Sequence, residues 1–257
     1  MKMNKLFLPV FAIFLACFAC KSSTRVEGGL SFETVSMQKK EKIASASLEW
    51  KGKAEIMTAT KDGDEEEEAA RLNLMIAGMI LEGETDVETA LQKRQNEYIE
   101  AFKASASEPD NGNFSLTWKS GLSGKVVSVS GQFISYVVSD HSIISGGKKN
   151  VVENYSVFDR QEGQGVPLSY FIPEENNAEL EKIIRETLVQ DKEFSSYEAL
   201  RNDFLKDDLE ITQNFYADDL GIHFVYNAGE ITDEAEGIIN ILVRWDVLKT
   251  LLNPGIM

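Results

Sequence analysis

The order in which strand-like and helix-like patterns follow one another limits the folds open to this chain. Apolar and polar residues alternate, as in strands, across 30–60 and 114–159. Helical spacing of apolar residues comes in two pairs of segments, within 69–103 and within 174–205. Because single helices do not alternate with single strands, the pattern disfavours a Rossmann fold or an α/β barrel. We predict an α+β fold of antiparallel sheets with helices packed on one face, arranged as two intertwined subdomains.

Several element boundaries follow from local signals. The second helix is predicted over 86–103, with Asp86 or Thr85 as its N-cap. The run 125–142 alternates throughout and is predicted as one long strand, which makes His141 a turn residue at its end. Two short runs, 212–216 and 221–226, are predicted as a hairpin.

The first twenty residues are typical of an export signal. Lys2 and Lys5 give a positive start, and 6–18 is almost wholly apolar. This pattern, ending in a cysteine, is that of a bacterial lipoprotein precursor. About a dozen apolar residues are too few to span a bilayer as a helix. We predict a signal peptide over 1–20, a polar tether over 21–29, and a lipid-anchored protein of the cell envelope, on the periplasmic or outer-membrane face.

Two cysteines compete for the lipid. Cys20 follows Ala19 and precedes a polar stretch, whereas Cys17 precedes Phe18, so we predict that Cys20 is lipidated. A plain secretory signal with incidental cysteines is the remaining alternative. Cleavage before Cys20 leaves one cysteine, so the domain must be stabilised by its core, without an internal disulfide.

The composition indicates a globular, strongly acidic protein. The chain has 257 residues, of which 43% are hydrophobic, and a net charge of −16 from 42 acidic and 26 basic residues. A polyanion of this sign is repelled by nucleic acid and by anionic lipid headgroups. We therefore predict no nucleic-acid partner and a preference for cationic partners, although the same charge also serves solubility.

The C-terminal part resembles a known family. An aromatic pair, glycines, Phe, Tyr and Glu-Ile precede an apolar strand and a Leu-rich segment, at Phe215, Tyr216, Gly221, Phe224, Tyr226, Glu230, Ile231, Gly237, Ile241 and Leu248. This pattern resembles the DUF3298-type domain in the extracellular region of lysozyme-sensing anti-sigma factors. The stretch 145–159 resembles the Gly-Gly strand-turn-strand of that domain. Residues 30–140 resemble its DUF4163-type companion, which also precedes the catalytic domain of a peptidoglycan deacetylase.

The resemblance implies two domains, over 30–144 and 145–257, that form an envelope-located ligand-binding module. The ligands it implies are a lysozyme-like basic protein or peptidoglycan. The chain departs from the pattern at Lys148-Lys149, where many members have Ala-His, and at Ala228-Gly229, where many have Pro-Tyr. Neither a spanning segment nor a His-rich deacetylase motif is present, so we expect neither a transmembrane anti-sigma factor nor a deacetylase.

The chain has few residues with catalytic patterning. His141 and His223 are its two histidines, and neither has the spacing of a zinc motif. Asp140, His141 and Ser142 are adjacent, which disfavours a catalytic triad. We expect no cofactor, no metal and no catalytic residue. His223 is predicted at an exposed strand position.

One acidic region stands out near the predicted hairpin. Its members are Asp218, Asp219, Glu230, Asp233, Glu234 and Glu236. Two close carboxylates would serve glycoside hydrolysis, and three would bind calcium, but a solvated loop explains them more simply.

Our prediction is a non-enzymatic binding module. The alternatives are a cell-wall glycan hydrolase with paired carboxylates and a structural partner of an envelope complex. The predicted ligand contacts are Gly146, Gly147, Tyr216, Asp218, Asp219, Tyr226, Glu230 and Asp233.

Overall fold

The computed structural model describes residues 20–27, 29–43, 45–58, 64–107, 116–145 and 147–256. The predicted signal peptide up to residue 19, including Cys17, therefore lies outside the described residues. Within the part described, no helix is both long and apolar enough to cross a bilayer.

The chain forms ten strands and six α-helices within its described residues. The first part contains β1 (Cys20–Glu27), β2 (Leu30–Ile43), β3 (Ala46–Thr58), α1 (Asp64–Ile80), α2 (Val87–Ala106), β4 (Thr117–Ser130) and β5 (Phe133–Ile144). The second part contains β6 (Asn150–Asp159), β7 (Gln164–Val166), α3 (Leu168–Phe171), α4 (Asn177–Asp191), α5 (Tyr197–Asp203), β8 (Phe215–Ala217), β9 (Gly221–Tyr226), β10 (Ile239–Arg244) and α6 (Trp245–Leu248).

Seven strands form one large sheet in the order β1 to β7. Neighbouring strands are antiparallel except β3 and β4, which run parallel from Ser47↔Thr117 to Ala54↔Gly124. A parallel pair needs a long crossover, and the connection from β3 to β4 supplies one through α1 and α2. The predicted antiparallel arrangement therefore has one exception, the parallel pair of β3 and β4.

Helices α1 and α2 cover one face of the large sheet. Their apolar sides, including Leu72, Ile76 and Leu91, form a core with Trp50 and Tyr136 from the strands. All five side chains are fully buried, which indicates close packing. The predicted α+β fold is confirmed, with both helices on one face of this sheet.

A second core lies on the other side, against β5 and β6. The strands β10, β9 and β8 form a small antiparallel sheet in that order, which packs on β5 and β6 through β8. Its core contains Leu180, Ile184 and Phe224, together with Phe133 and Val157 from the large sheet. The predicted boundary between 144 and 145 falls in the turn between β5 and β6, so the large sheet contains strands of both predicted domains.

Three local predictions differ from the structure. The run 125–142 is two strands joined at Gly131, whose φ of 56° makes the turn, and not one strand. His141 consequently lies within β5 and not in a turn. The predicted tether is a strand as far as Glu27, since β1 pairs with β2 from Cys20↔Ser36 onward. Backbone pairing at a sheet edge does not require apolar side chains, which is why polarity gave no sign of it.

Candidate functional site

The small sheet separates the predicted acidic residues into two groups. Asp218 and Asp219 lie in the turn between β8 and β9, whereas Glu230 and Asp233 lie in the connection from β9 to β10. These connections are at opposite ends of the six-residue β9, about 20 Å apart at 3.3 Å per residue. Glycoside hydrolysis needs two carboxyl groups within about 10 Å of each other. The two groups therefore cannot supply one catalytic pair between them.

The turn between β8 and β9 is fixed by a dense set of hydrogen bonds around Asp218. Its Oδ1 accepts from the backbone N–H of Leu220 at 2.8 Å and of Gly221 at 3.1 Å. Its Oδ2 lies 3.0 Å from Nε2 of His223, and its carbonyl accepts from Nε1 of Trp245 at 2.8 Å. These bonds occupy the Asp218 carboxylate, so its main role is to hold the turn.

The two residues at the turn's apex point outward. Asp219 is exposed and accepts a hydrogen bond from the Ser130 hydroxyl of the large sheet. Leu220 is 51% exposed, although its backbone is held by Asp218 and by the N–H of Trp245, which donates to its carbonyl at 3.1 Å. We call residues 218–220 the hairpin tip. It presents one apolar and one acidic side chain on a backbone that is already ordered.

Behind the tip, three rings stack in sequence. The rings of Tyr155 and Tyr216 have centroids 4.8 Å apart, and those of Tyr216 and His223 are 4.2 Å apart and nearly parallel, at 8°. We call Tyr155, Tyr216 and His223 the aromatic ladder. Because their faces cover one another, the ladder offers ring edges more than free faces to a ligand.

Hydrogen bonds along its edge connect the ladder to both sheets. The Asn240 side-chain amide donates to the Tyr216 hydroxyl at 3.1 Å, and its Oδ1 lies 3.1 Å from Nδ1 of His223. The Tyr155 hydroxyl donates to Glu153 at 2.7 Å. Burial raises the pKa of Tyr155, and its hydrogen bond to Glu153 raises it further, so the hydroxyl stays protonated. The His223 side chain is only 11% exposed, so its predicted exposed position is wrong.

The predicted contacts at the far end of the small sheet have mostly structural roles. Tyr226 is 3% exposed and donates its hydroxyl proton to the Glu210 carbonyl, so it is a core residue. Glu230 accepts from the backbone N–H of Asn227 at 2.9 Å and from the Asn227 amide at 3.3 Å, and thereby closes the loop. Asp233 is exposed.

The Gly-Gly turn approaches this far end. Lys148 donates to the Glu234 carbonyl at 2.8 Å, which places the exposed Gly147 near the acidic loop. Gly146 lies outside the described residues. The two predicted contact regions are thus neighbours here, while the hairpin tip is remote from both.

The structure contains a polar groove that was not predicted from the sequence. It has a volume of about 290 Å³ and lies on the helix side of the large sheet, beside the ends of β5 and β6. In it, Arg94 donates to Asp140 at 2.9 Å, and the Tyr98 hydroxyl also donates to Asp140. Burial and the nearby Lys149 lower the pKa of His141, which keeps its imidazole neutral near pH 7. The partners of Asp140 are 42 and 46 residues away in sequence, so no local motif marks the groove.

Metal-binding chemistry has no obvious place in the described part of the chain. None of its groups of His, Cys, Asp and Glu side chains brings three potential ligands together.

Comparisons with known proteins agree with the resemblance in the C-terminal part. Residues 171–246 match the family model described as "Protein of unknown function (DUF3298)". A crystal structure of a DUF3298 family member from Bacteroides fragilis is similar, with a TM-score of 0.75 and 18% identity over 89% of this chain and 96% of that chain. A DUF3298 family protein from Pseudomonas aeruginosa has a TM-score of 0.55 and 11% identity over 86% and 94%. At these identities the likeness establishes the fold. No curated protein matches the sequence.

Proposed function

We propose that this protein is a non-enzymatic binding module of the cell envelope that recognises a basic protein of the lysozyme kind through its hairpin tip. In this proposal the chain is exported, anchored by lipid at Cys20, and exposed on the periplasmic or outer-membrane side. The observation that carries the proposal is the rigid tip, with Leu220 exposed beside Asp219 on a backbone fixed by Asp218 and Trp245.

A rigid tip favours a protein ligand for an energetic reason. Association costs free energy when loops and side chains must become ordered, and a turn that is already held avoids much of this cost. Leu220 supplies apolar area that a partner can bury, and Asp219 supplies charge at its rim. An exposed carboxylate contributes little alone, but a net charge of −16 steers a cationic partner toward the molecule.

The hydrolase alternative has less support. Asp218 is committed to the turn and to His223, and the acidic groups lie at opposite ends of β9. The ladder is also a poor sugar platform, because its ring faces are stacked on each other. One observation supports peptidoglycan as a ligand. In the 290 Å³ groove, Arg94 and Asp140 neutralise each other beside neutral polar groups. Planar polar side chains next to apolar ones suit a saccharide.

Titration calorimetry with a c-type lysozyme tests the proposal. We expect heat at low salt that diminishes at high salt, because screening weakens exposed charge pairs. Leu220→Ser should weaken binding about three- to tenfold, since fully burying a leucine contributes about 1.5–3 kcal/mol and Leu220 is 51% exposed before binding. Leu74→Ser is the matched control, because Leu74 is similarly exposed, at 48%, but lies on α1.

Two results would contradict the proposal. Folded protein that gives no heat at low salt removes lysozyme as the ligand. Release of muropeptides from peptidoglycan, lost in Asp219→Asn, would make the protein a hydrolase. A saccharide ligand in the groove would instead appear as binding of peptidoglycan fragments that Arg94→Gln abolishes and Leu220→Ser leaves unchanged.

A further inference from the structure

One face of the large sheet carries lysines in an otherwise acidic protein. Five lysines lie on the side of the sheet that points away from α1 and α2. They are Lys40 and Lys42 on β2, Lys51 and Lys53 on β3, and Lys119 on β4. The register places Lys40 beside Glu49, and Glu49 beside Lys119, across the three strands. With strands about 4.8 Å apart, these side chains share a patch about 10 Å wide and 20 Å long. We call these five residues the lysine face.

The lysine face is open to solvent. All five residues are exposed, and the side chains of Lys40 and Lys51 are 73% and 65% exposed. Helices α1 and α2 pack on the opposite face, and the small sheet packs on β5 and β6 instead. The described structure therefore leaves this face uncovered.

Little negative charge compensates the lysine face. Glu49 lies within it and pairs with Lys40 at 3.5 Å and with Lys51 at 3.3 Å, and hydrogen bonding to Lys51 lowers the pKa of Glu49. Lys42, Lys53 and Lys119 form no salt bridge with any described residue. The patch thus has a local positive charge, although the whole chain has a net charge of −16. At this surface the local charge is therefore opposite in sign to the net charge from which we expect repulsion by anionic lipid.

The position of Cys20 favours a membrane as the partner of this face. Cys20 pairs with Ser36 on β2, and Ser36 pairs with Lys53 on β3, so the backbone of Cys20 is two strands, or about 10 Å, from that of Lys53. Because β1 is paired from Cys20 onward, no free tether separates a lipid on Cys20 from the sheet. A lipid there would hold the edge of the sheet at the bilayer surface.

We propose that the lysine face docks on anionic phospholipid headgroups of the membrane that holds the lipid on Cys20. The patch is exposed and positively charged, and basic residues next to an anchor strengthen contact with a charged lipid surface. The hairpin tip lies outside the lysine face, because Asp219 contacts Ser130, which is eleven residues, or about 36 Å, along β4 from Lys119. The inference uses the lipid attachment of the proposed function, but not its ligand.

Chemical footprinting on vesicles tests this inference. The chain from residue 20 contains one cysteine, so Cys20 can be coupled to a maleimide lipid in vesicles of defined composition. Lysine reactivity toward an amine-acylating reagent is then measured by mass spectrometry on phosphatidylglycerol-containing and on pure phosphatidylcholine vesicles. The artificial anchor makes the result independent of natural lipidation and of lysozyme binding.

We expect the five lysines to become at least threefold less reactive on anionic vesicles than on neutral vesicles, with reactivity restored by 0.5 M salt. Lys182 and Lys249 on the C-terminal part are exposed controls that should not change. Lys40→Gln combined with Lys119→Gln should weaken protection of the remaining three lysines.

Equal reactivity on both vesicle types would overturn the inference. So would uniform protection that includes Lys182 and Lys249, because that result indicates crowding at the vesicle surface. Protection by a soluble polyanion but not by anionic vesicles would replace the lipid surface with a polymer as the partner.

Discussion

At the scale of single residues, the acidic side chains near the small sheet differ sharply in what they do. Asp218 is an acceptor for two backbone N–H groups and for His223, whereas Asp219 has one hydroxyl donor at the surface. In sequence the two residues are indistinguishable neighbours. Only the geometry of the turn separates a residue that holds the chain from one that is exposed at the surface.

This difference predicts unequal effects on stability. Asp218→Ala should lower the free energy of unfolding by about 1–3 kcal/mol, because it leaves the N–H groups of Leu220 and Gly221 without their acceptor. Asp219→Ala should change it by less than about 0.5 kcal/mol, as is usual for exposed positions. Urea denaturation followed by circular dichroism measures both. Equal losses in the two variants would show that Asp218 does not hold the turn.

The aromatic ladder shows what residue patterns cannot reveal. Tyr155 and Tyr216 are recognisable as strand aromatics, but they are 61 residues apart, and their stacking depends on where β8 lies across β6. The Arg94–Asp140 pair is hidden for the same reason. Tyr226 looked equally suitable for ligand contact, yet its face of β9 turns into the core. Residue type therefore indicated which side chains could contact a ligand, whereas only the tertiary structure showed which side chains lie next to one another.

At the scale of elements, local signals predicted most boundaries well. Asp86 caps α2 by accepting from the N–H of Thr89 at 2.7 Å, as its position before the helical pattern indicates. The hairpin of β8 and β9 is also confirmed. The turn at Gly131 was missed because alternation continues through it from Val129 to Phe133, and period alone cannot mark a two-residue reversal.

The parallel pairing of β3 and β4 leads to a prediction about Gly121. A Cβ there would lie 2.2 Å from the carbonyl oxygen of Lys51, which is backbone and cannot move aside without disturbing the sheet. Gly121→Ala should therefore cost about 1–3 kcal/mol of stability. Thermal and urea unfolding measure the loss.

Gly78 provides the matched control for this prediction. It lies within α1, and a Cβ there would have no neighbour within 4 Å. Gly78→Ala should stabilise the protein by about 0.5–1 kcal/mol, because alanine loses less backbone entropy in a helix. If both substitutions destabilised equally, the tight approach of β3 and β4 at Gly121 would not be the cause.

At the scale of the whole molecule, the two predicted domains share their cores. Phe133, from the predicted N-terminal domain, lies in the core of the C-terminal part. Phe158, from the predicted C-terminal domain, lies in the core beneath α1 and α2. Asn214 also clamps the edge of β6, accepting from the N–H of Tyr155 at 2.7 Å and donating to the Glu153 carbonyl at 2.8 Å. The resemblance predicts a boundary between residues 144 and 145, but sequence patterns could not show that one sheet continues through it.

This shared architecture predicts that the chain unfolds as one unit and cannot be divided at residue 145. A fragment of residues 20–144 would expose the β5 edge that pairs with β6 from Phe133↔Asp159 to Ser142↔Asn150. A fragment of residues 145–257 would lose Phe133 from its core and the partner strand of β6. Each fragment alone should show no cooperative thermal transition, since burial lost on both sides exceeds the small net stability of a domain. An equimolar mixture of the two fragments should recover the circular dichroism spectrum of the whole chain and a single transition. The reason is that the turn between β5 and β6 only connects the two strands and adds little to their pairing. Cooperative unfolding of either fragment on its own would instead establish two independent domains that merely adjoin along β5 and β6.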